Sequence, residues 1–132
     1  MRSFRTLLTA LALAGCMTAP EPTGPDRRLV AQAVATAAAQ VQRCYRLPRI
    51  PREGRQITIV LRVRFSIDGA LIGLPQLIAQ SGVSPGNQPY ATRMTEAAVL
   101  AVIRCSPLRL PPELHARGWD EFELTFSPRA VA

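Results

Sequence analysis

The middle of the chain alternates apolar and polar side chains in the way that a half-buried strand does. From Ile57 to Phe65 every second residue is apolar, and Thr58, Arg62 and Arg64 fall on the opposite side. A period of two places the first set on one face of a sheet and the second set on the other. The pattern predicts a strand with one face in the core and one face in solvent.

A turn and a second strand are expected directly after it. Asp68 and Gly69 form the dipeptide that most strongly signals a tight hairpin. The next strand is predicted from Leu71 to Ile78, with Gly73 and Pro75 inside it. Because proline cannot donate a ladder hydrogen bond, this strand is expected at an edge of the sheet.

The chain alternates again near its C-terminal end, from Trp119 to Phe126. Phe122, Leu124 and Phe126 are predicted to face the core, and Glu121, Glu123 and Thr125 the solvent. A helical crossover before it would place this strand outside the first one, at a sheet edge with unpaired backbone groups. The sequence predicts that a partner segment adds to this strand, at a site made of Trp119, Glu121, Phe122, Glu123, Leu124 and Thr125.

Two alanine-rich segments repeat apolar residues with helical spacing. The first begins near Arg28, with Asp26 as a possible N-cap, and the second runs from Tyr90 to Cys105. Their predicted inward stripes are Val30, Val34, Ala37, Val41 and Cys44 in the first, and Tyr90, Met94, Ala97, Ala98, Ala101 and Cys105 in the second. Prolines follow each segment and end the helical pattern.

The order of elements is therefore α-β-β-α-β, within one domain over residues 28–130. A hairpin followed by a helical crossover most simply makes a split βαβ unit with the first strand in the centre. The predicted fold is a small two-layer α+β domain with a three-stranded antiparallel sheet of order 2-1-3. Both helices are expected on one face of that sheet.

The N-terminal segment has the features of a signal peptide. Arg2 and Arg5 precede a short apolar run, which is too short to cross a bilayer. The residues "LAGC" that end at Cys16 resemble the lipobox of bacterial lipoproteins, whose cysteine carries the lipid. We expect residues 1–15 to be cleaved and Cys16 to be lipidated. The other possibility is an ordinary signal peptide with a chance cysteine.

A short Pro-rich segment, residues 16–27 with Cys16 at its head, is expected to tether the domain. A chain of this length reaches at most about 40 Å, so the domain would work close to its own membrane. Met17 rather than Asp follows the cysteine, which in enterobacterial-type sorting implies the outer membrane. The expected location is its periplasmic face, and a soluble periplasmic protein is the less favoured possibility.

Two further cysteines, Cys44 and Cys105, end the two helical segments on their inward stripes. In an oxidising periplasm such a pair is expected to form a disulfide. Two buried free thiols are the alternative.

Several motifs together resemble the TonB/TolA C-terminal domain family. They are "V-x-F-x-x-D-G" from Val63, "EAAVLAVIRC-S-P" from Glu96, "LPPE" from Leu110 and "F-x-L-x-F-x-P" from Phe122. The two cysteines are similar to the paired cysteines of TolA-type domains. The resemblance spans about Val30 to Pro128.

This resemblance implies a periplasmic domain that binds partner segments, often by strand addition, in cell-envelope maintenance or outer-membrane energy transduction. The transducers of the family have an uncleaved transmembrane helix and a long spacer, whereas this sequence has a lipobox and a short tether. The expected role is a non-catalytic adaptor that binds a periplasmic or outer-membrane protein.

Charge suggests a second function. Net charge is +7, which attracts anionic surfaces mildly, and Arg62 and Arg64 share the solvated face of the first strand. The alternative is a module that contacts anionic glycan or lipid phosphates through this face. No basic run with interleaved aromatic residues indicates nucleic-acid binding.

Residues for catalysis are few. His115 is the only histidine and is expected as a solvated side chain on a loop or short turn, and the cysteines are assigned to other roles. No nucleophile–base set can be assembled from what remains. We expect no enzymatic activity, no cofactor, no metal and no small-molecule substrate.

Overall fold

A three-stranded antiparallel sheet forms one layer of the domain, and helices form the other. The computed structural model describes residues 15–16, 26–47, 49–116 and 120–132. The main elements, in chain order, are helix α1 (Arg27–Gln42), strand β1 (Thr58–Arg64), strand β2 (Gln76–Ser81), helix α2 (Gln88–Cys105), the short helix α3 (Pro112–Ala116) and strand β3 (Glu121–Phe126). The strand order is β2-β1-β3, which confirms the predicted α+β fold and sheet order.

The core lies between the sheet and the two long helices. Every second residue of the β1 segment is buried to 1% exposure or less, namely Ile57, Ile59, Leu61, Val63 and Phe65. This is the apolar set that the alternation predicted to face inward. Burial of such a side chain stabilises the fold by about 1.5–3 kcal/mol. The buried side chains of the central strand β1 therefore contribute substantially to the free energy of unfolding.

Helix α1 packs through small side chains. Its buried residues are Ala33, Ala37, Ala38 and Val41, and three alanines among them let the helix lie close to its neighbours. The carboxylate of Asp26 accepts a hydrogen bond from the N–H of Arg28 at 3.1 Å, which confirms the predicted N-cap.

Strand β2 differs from the prediction. It begins at Gln76 rather than Leu71, because Gly73 has a φ of +68° and Pro75 follows two residues later. Leu71 forms only an isolated bridge with Phe65. Pro75 thus precedes the strand instead of interrupting it.

The turn between β1 and β2 also contacts the loop after α2. Gly69 has a φ of +78°, and its carbonyl accepts a hydrogen bond from the N–H of Leu108 at 2.8 Å. A Cβ at this position would collide with the carbonyl oxygen of Leu108. Glycine is therefore required both by the backbone conformation and by the close approach.

Two short helical segments were not predicted. A 3-10 turn covers Arg52–Gly54, and α3 follows the prolines that end the second helical pattern. Pro112 is the first residue of α3, where a missing N–H costs no helical hydrogen bond.

Candidate interaction surfaces

A disulfide joins the ends of the two long helices. Cys44 and Cys105 are bonded, with their Cα atoms 5.8 Å apart, which confirms the predicted pair. The side chain of Gln40 supports the same junction. Its Nε2 donates to the carbonyl of Arg109 at 2.8 Å, and its Oε1 accepts from the N–H of Arg109 at 2.8 Å. The junction is thus closed by one covalent bond and two hydrogen bonds.

Strand β3 is an edge strand, but its end is covered by the chain itself. Thr125 donates to the carbonyl of Ala132 at 2.6 Å and accepts from its N–H at 2.8 Å. Phe126 and Val131 form a bridge in the same short antiparallel pairing. The prediction that Thr125 offers free backbone groups to a partner is therefore wrong.

Along the rest of β3, alternate residues direct their backbone N–H and C=O groups away from β1. Since the backbone groups of Thr125 do so, those of Glu121 and Glu123 do as well. Their backbone groups have no partner among the described residues. The side chains of Phe122 and Leu124 are buried under the helices, as predicted. Trp119 lies outside the described residues.

The solvated sheet face is electrostatically mixed. Arg62 lies 3.6 Å from Glu121 and 3.5 Å from Glu123. Arg64 donates to Asp120 at 2.9 Å, and this hydrogen bond, with the charge of the carboxylate, raises the pKa of the Arg64 guanidinium. Each predicted anion-contacting arginine thus already has carboxylate partners.

The strand register explains the contact between Arg62 and Glu123, which are directly opposite across the β1–β3 ladder. The Arg62–Glu121 and Arg64–Asp120 pairs are diagonal, since Glu121 is opposite Arg64. Opposite charges at facing positions stabilise a sheet modestly. These ion pairs are about half exposed, so each contributes little to stability.

The outer strand β2 is the more accessible edge. All six of its residues are exposed, including Leu77 at 45% and Ile78 at 37%, and Leu74 just before it is 74% exposed. A bulge opposite Val60 and Leu61 interrupts its register. This edge presents apolar side chains where β3 presents glutamates.

Backbone directions along β2 follow from those of β1. The N–H of Phe65 bonds to Asp120 on the β3 side, whereas the carbonyl of Arg64 accepts from Ile72 on the β2 side. The backbone N–H and C=O of Val60 therefore point toward β2, and those of its partner Ala79 point toward β1. The next residue, Gln80, directs its backbone N–H and C=O away from the sheet.

Sequence reasoning missed β2 as a surface because it placed Pro75 inside the strand. The relevant signal was the run of large apolar residues that includes Leu74, Leu77 and Ile78. Such a run without alternation does not tell which side chains are exposed.

His115 is placed differently from its prediction. It lies in α3 and is partly buried rather than on a solvated loop. Its Nε2 atom is buried and has no hydrogen-bond partner within the described ranges. The same ranges contain no group of three or more His, Cys, Asp or Glu residues placed to hold a metal ion.

Cys16 is exposed and is not part of a disulfide. The predicted signal segment before Gly15 and the tether between Met17 and Pro25 lie outside the described residues. None of the helices in the described ranges has the length and hydropathy that a membrane crossing requires.

The chain belongs to a protein family described as uncharacterised conserved protein UCP034077, whose match covers residues 27–127. This span begins at the first residue of α1 and ends just after β3. Comparisons with curated proteins and with solved structures gave no significant match.

Proposed function

We propose that this protein is a lipid-anchored, non-catalytic adaptor of the bacterial cell envelope, whose domain binds an extended segment of a periplasmic or outer-membrane protein. The observation that carries the proposal is the open β2 edge, exposed along its whole length. The sequence resemblance to the TonB/TolA C-terminal domain family supports the same mode of binding.

Strand addition needs outward backbone groups, and β2 supplies them. The N–H and C=O of Gln80 point away from β1, as the alternation of the ladder requires. A partner segment would pair with these groups and extend the sheet from three strands to four. Unlike the end of β3, the outer side of β2 has no backbone partner among the described residues.

Side chains at this edge would select the partner. Leu74, Leu77 and Ile78 are exposed, so a segment with apolar residues at matching positions would remove apolar surface from water on binding. The β-bulge opposite Val60 discourages uncontrolled pairing with a second copy of the sheet. We therefore move the proposed docking site from β3, where the sequence placed it, to β2.

Photo-crosslinking in cells of the native host tests the location of the site. A photoreactive side chain replaces Leu77, Glu123 or, as an exposed control on α1, Ala35 in the full chain. A discrete partner should crosslink at Leu77, and the crosslinked residues should lie in one extended segment. Crosslinking at Glu123 alone would return the site to β3. Equal yields at all three positions would contradict strand addition.

The lipid anchor is a separate part of the proposal. Its support is the lipobox-like "LAGC" and the exposed position of Cys16. Several acyl chains on one residue hold a protein on a membrane stably, whereas a single chain does not. Intact mass of protein extracted from membranes should show a mature chain that begins at diacylglyceryl-modified Cys16. A different first residue, with Cys16 removed or unmodified, would rule out the anchor.

A short tether distinguishes this role from that of a transducer. Residues 17–27 reach at most about 40 Å, and a lipid anchor offers no helix to engage a proton-driven motor. The proposed adaptor therefore acts on partners close to the membrane that holds it.

A further inference from the structure

The solvent face of α2 collects basic and apolar side chains. Arg93, Ala97, Leu100 and Arg104 recur at helical spacing along it. They lie beside the buried stripe that contains Met94 and packs on the sheet. Arg93, Leu100 and Arg104 are exposed and Ala97 is half-buried, so this face belongs to the accessible surface of the helical layer.

Arginines from three parts of the chain line two grooves on this side. They come from the end of α1, from α2 and from the loop after α2, and we call the set the arginine face: Arg43, Arg46, Arg93, Arg104 and Arg109. Arg104 lines both grooves, so the grooves adjoin. Glu96 is the one carboxylate that lines either of them.

These arginines differ from those on the sheet. Arg62 and Arg64 are neutralised by carboxylates, whereas no member of the arginine face forms an ion pair within the described part of the chain. All five are exposed. The helical side thus presents five exposed arginines without a described carboxylate partner, whereas the two arginines of the sheet face are paired.

Exposed apolar side chains stand among these charges. Leu100 is 44% exposed and Ile103 is 39% exposed, and Leu100 lines the same groove as Arg46 and Arg104. A mixture of guanidinium groups and aliphatic tips suits the boundary between lipid headgroups and acyl chains. There the charges meet phosphates and the apolar tips leave water.

We propose that the arginine face docks the domain on a membrane surface containing anionic phospholipids. Guanidinium groups bind phosphate oxygens in a bidentate manner, and each basic residue near an anionic surface strengthens binding about fivefold. The relevance of this contact in the cell rests on the proposed envelope location, but the contact itself rests on described residues alone. Docking through the helices would leave the β2 edge free for a partner protein.

An acidic protein would also be attracted by the arginines. The membrane is favoured because Leu100 lines a groove of the arginine face and the exposed Ile103 is next to Arg104 in the sequence, and both gain from an apolar layer beneath the phosphates. An acidic segment would form ion pairs with the arginines and leave the side chains of Leu100 and Ile103 in water.

Vesicle co-sedimentation tests the proposal. The full chain carrying Cys16→Ser, which has no acyl chains, is mixed with phosphatidylcholine vesicles or with equimolar phosphatidylcholine and phosphatidylglycerol vesicles. The N-terminal segment, which includes Arg2 and Arg5, is the same in every variant, so its contribution cancels when the ratios of the two partition coefficients are compared between variants. Arg46→Gln with Arg104→Gln should lower this ratio about 30-fold. Arg62→Gln with Arg64→Gln removes the same charge from the opposite face and should leave it within about twofold.

The outcomes separate the alternatives. An equal loss in both double variants would show that net charge, not the arginine face, sets binding, and would overturn the proposal. Unchanged binding by Arg46→Gln with Arg104→Gln would also overturn it. Displacement of the parent chain from anionic vesicles by low concentrations of polyglutamate would favour an acidic protein instead. Thermal unfolding confirms that each variant is folded. Because Cys16→Ser is present throughout, none of these results depends on lipidation.

Discussion

Thr125 and Ala132 are joined by two backbone hydrogen bonds, of 2.6 and 2.8 Å, at the outer side of β3. The residues between them form a tight reversal in which Ser127 donates to the carbonyl of Ala130 at 2.9 Å. The last residues of the chain thus cover the end of an edge strand that would otherwise present free backbone groups.

Amide hydrogen exchange should reveal this cover. In the full chain the Thr125 amide should exchange slowly, and the Glu123 amide, which faces the same way without a described partner, should exchange fast. Deleting residues 130–132 should bring Thr125 to the rate of Glu123. Leu124, which faces β1, is the internal control and should stay slow. Fast exchange at Thr125 in the full chain would contradict the pairing.

Gly69 should be much less tolerant of substitution than Gly73. Both have positive φ, which costs a residue with a side chain about 1–2 kcal/mol. Only at Gly69 would the new Cβ collide with another backbone atom, the carbonyl oxygen of Leu108. Gly69→Ala should therefore lower the free energy of unfolding by several kcal/mol, and Gly73→Ala by about 1–2 kcal/mol. Urea unfolding of both variants measures the difference, and equal losses would refute the close approach.

The central strand could be predicted from the sequence because its alternation is continuous from Ile57 to Phe65. The outer strand was predicted at an edge, but its bounds could not be, since the positive φ of Gly73 and the bulge opposite Val60 depend on neighbouring elements rather than on local pattern. The disulfide followed from helix faces and compartment, and the structure confirms it.

The ion pairs on the solvated sheet face could not be predicted from the local sequence pattern either. The solvated side of β1 was predicted correctly, but its ion pairs depend on a register that places Arg62 opposite Glu123 across 61 residues of sequence. The cover over Thr125 was missed because the residues after Pro128 are too few to show a periodicity. The arginine face was missed because its members come from separate segments.

Asn87 should be important for stability, although it lies outside every predicted site. It is 3% exposed, and its Nδ2 donates to the carbonyls of Glu53 and Gly82, both at 2.9 Å. Its Oδ1 accepts from the N–H of Ser84 at 2.7 Å. Asn87→Ala leaves these buried groups unpaired and should cost about 3 kcal/mol in urea unfolding. The exposed neighbour Gln88 serves as a control, and a loss no larger than that of Gln88→Ala would contradict this role.

Tyr45 should make stability fall at alkaline pH. Burial raises the pKa of its phenol to about 12, and its hydroxyl donates to the carbonyl of Ser127 at 3.1 Å. The unfolded phenol ionises near pH 10, so the folded state holds the proton more tightly. The contribution is complete below about pH 10 and is lost as pH rises through about 12.

Comparison with Tyr45→Phe isolates this effect, because phenylalanine keeps the ring packing against Phe126 and cannot ionise. Urea unfolding is measured between about pH 9 and pH 12, a range that includes the pKa of the unfolded phenol and reaches that of the folded one. The free energy of unfolding should fall more steeply with pH for the parent chain than for the variant. Parallel curves would mean that Tyr45 titrates alike in the folded and unfolded states.

Binding of the crosslinked segment to Gln80 variants tests strand addition at β2 most directly. The segment is synthesised as a peptide and titrated calorimetrically into the parent chain, Gln80→Pro, Gln80→Ala and Glu123→Pro. Gln80→Pro removes the outward N–H, whereas Gln80→Ala keeps it and removes only the side-chain bond to Thr95. The account predicts about tenfold weaker binding for Gln80→Pro and affinities near the parent value for the other two. Full affinity in Gln80→Pro, with loss in Glu123→Pro, would contradict it.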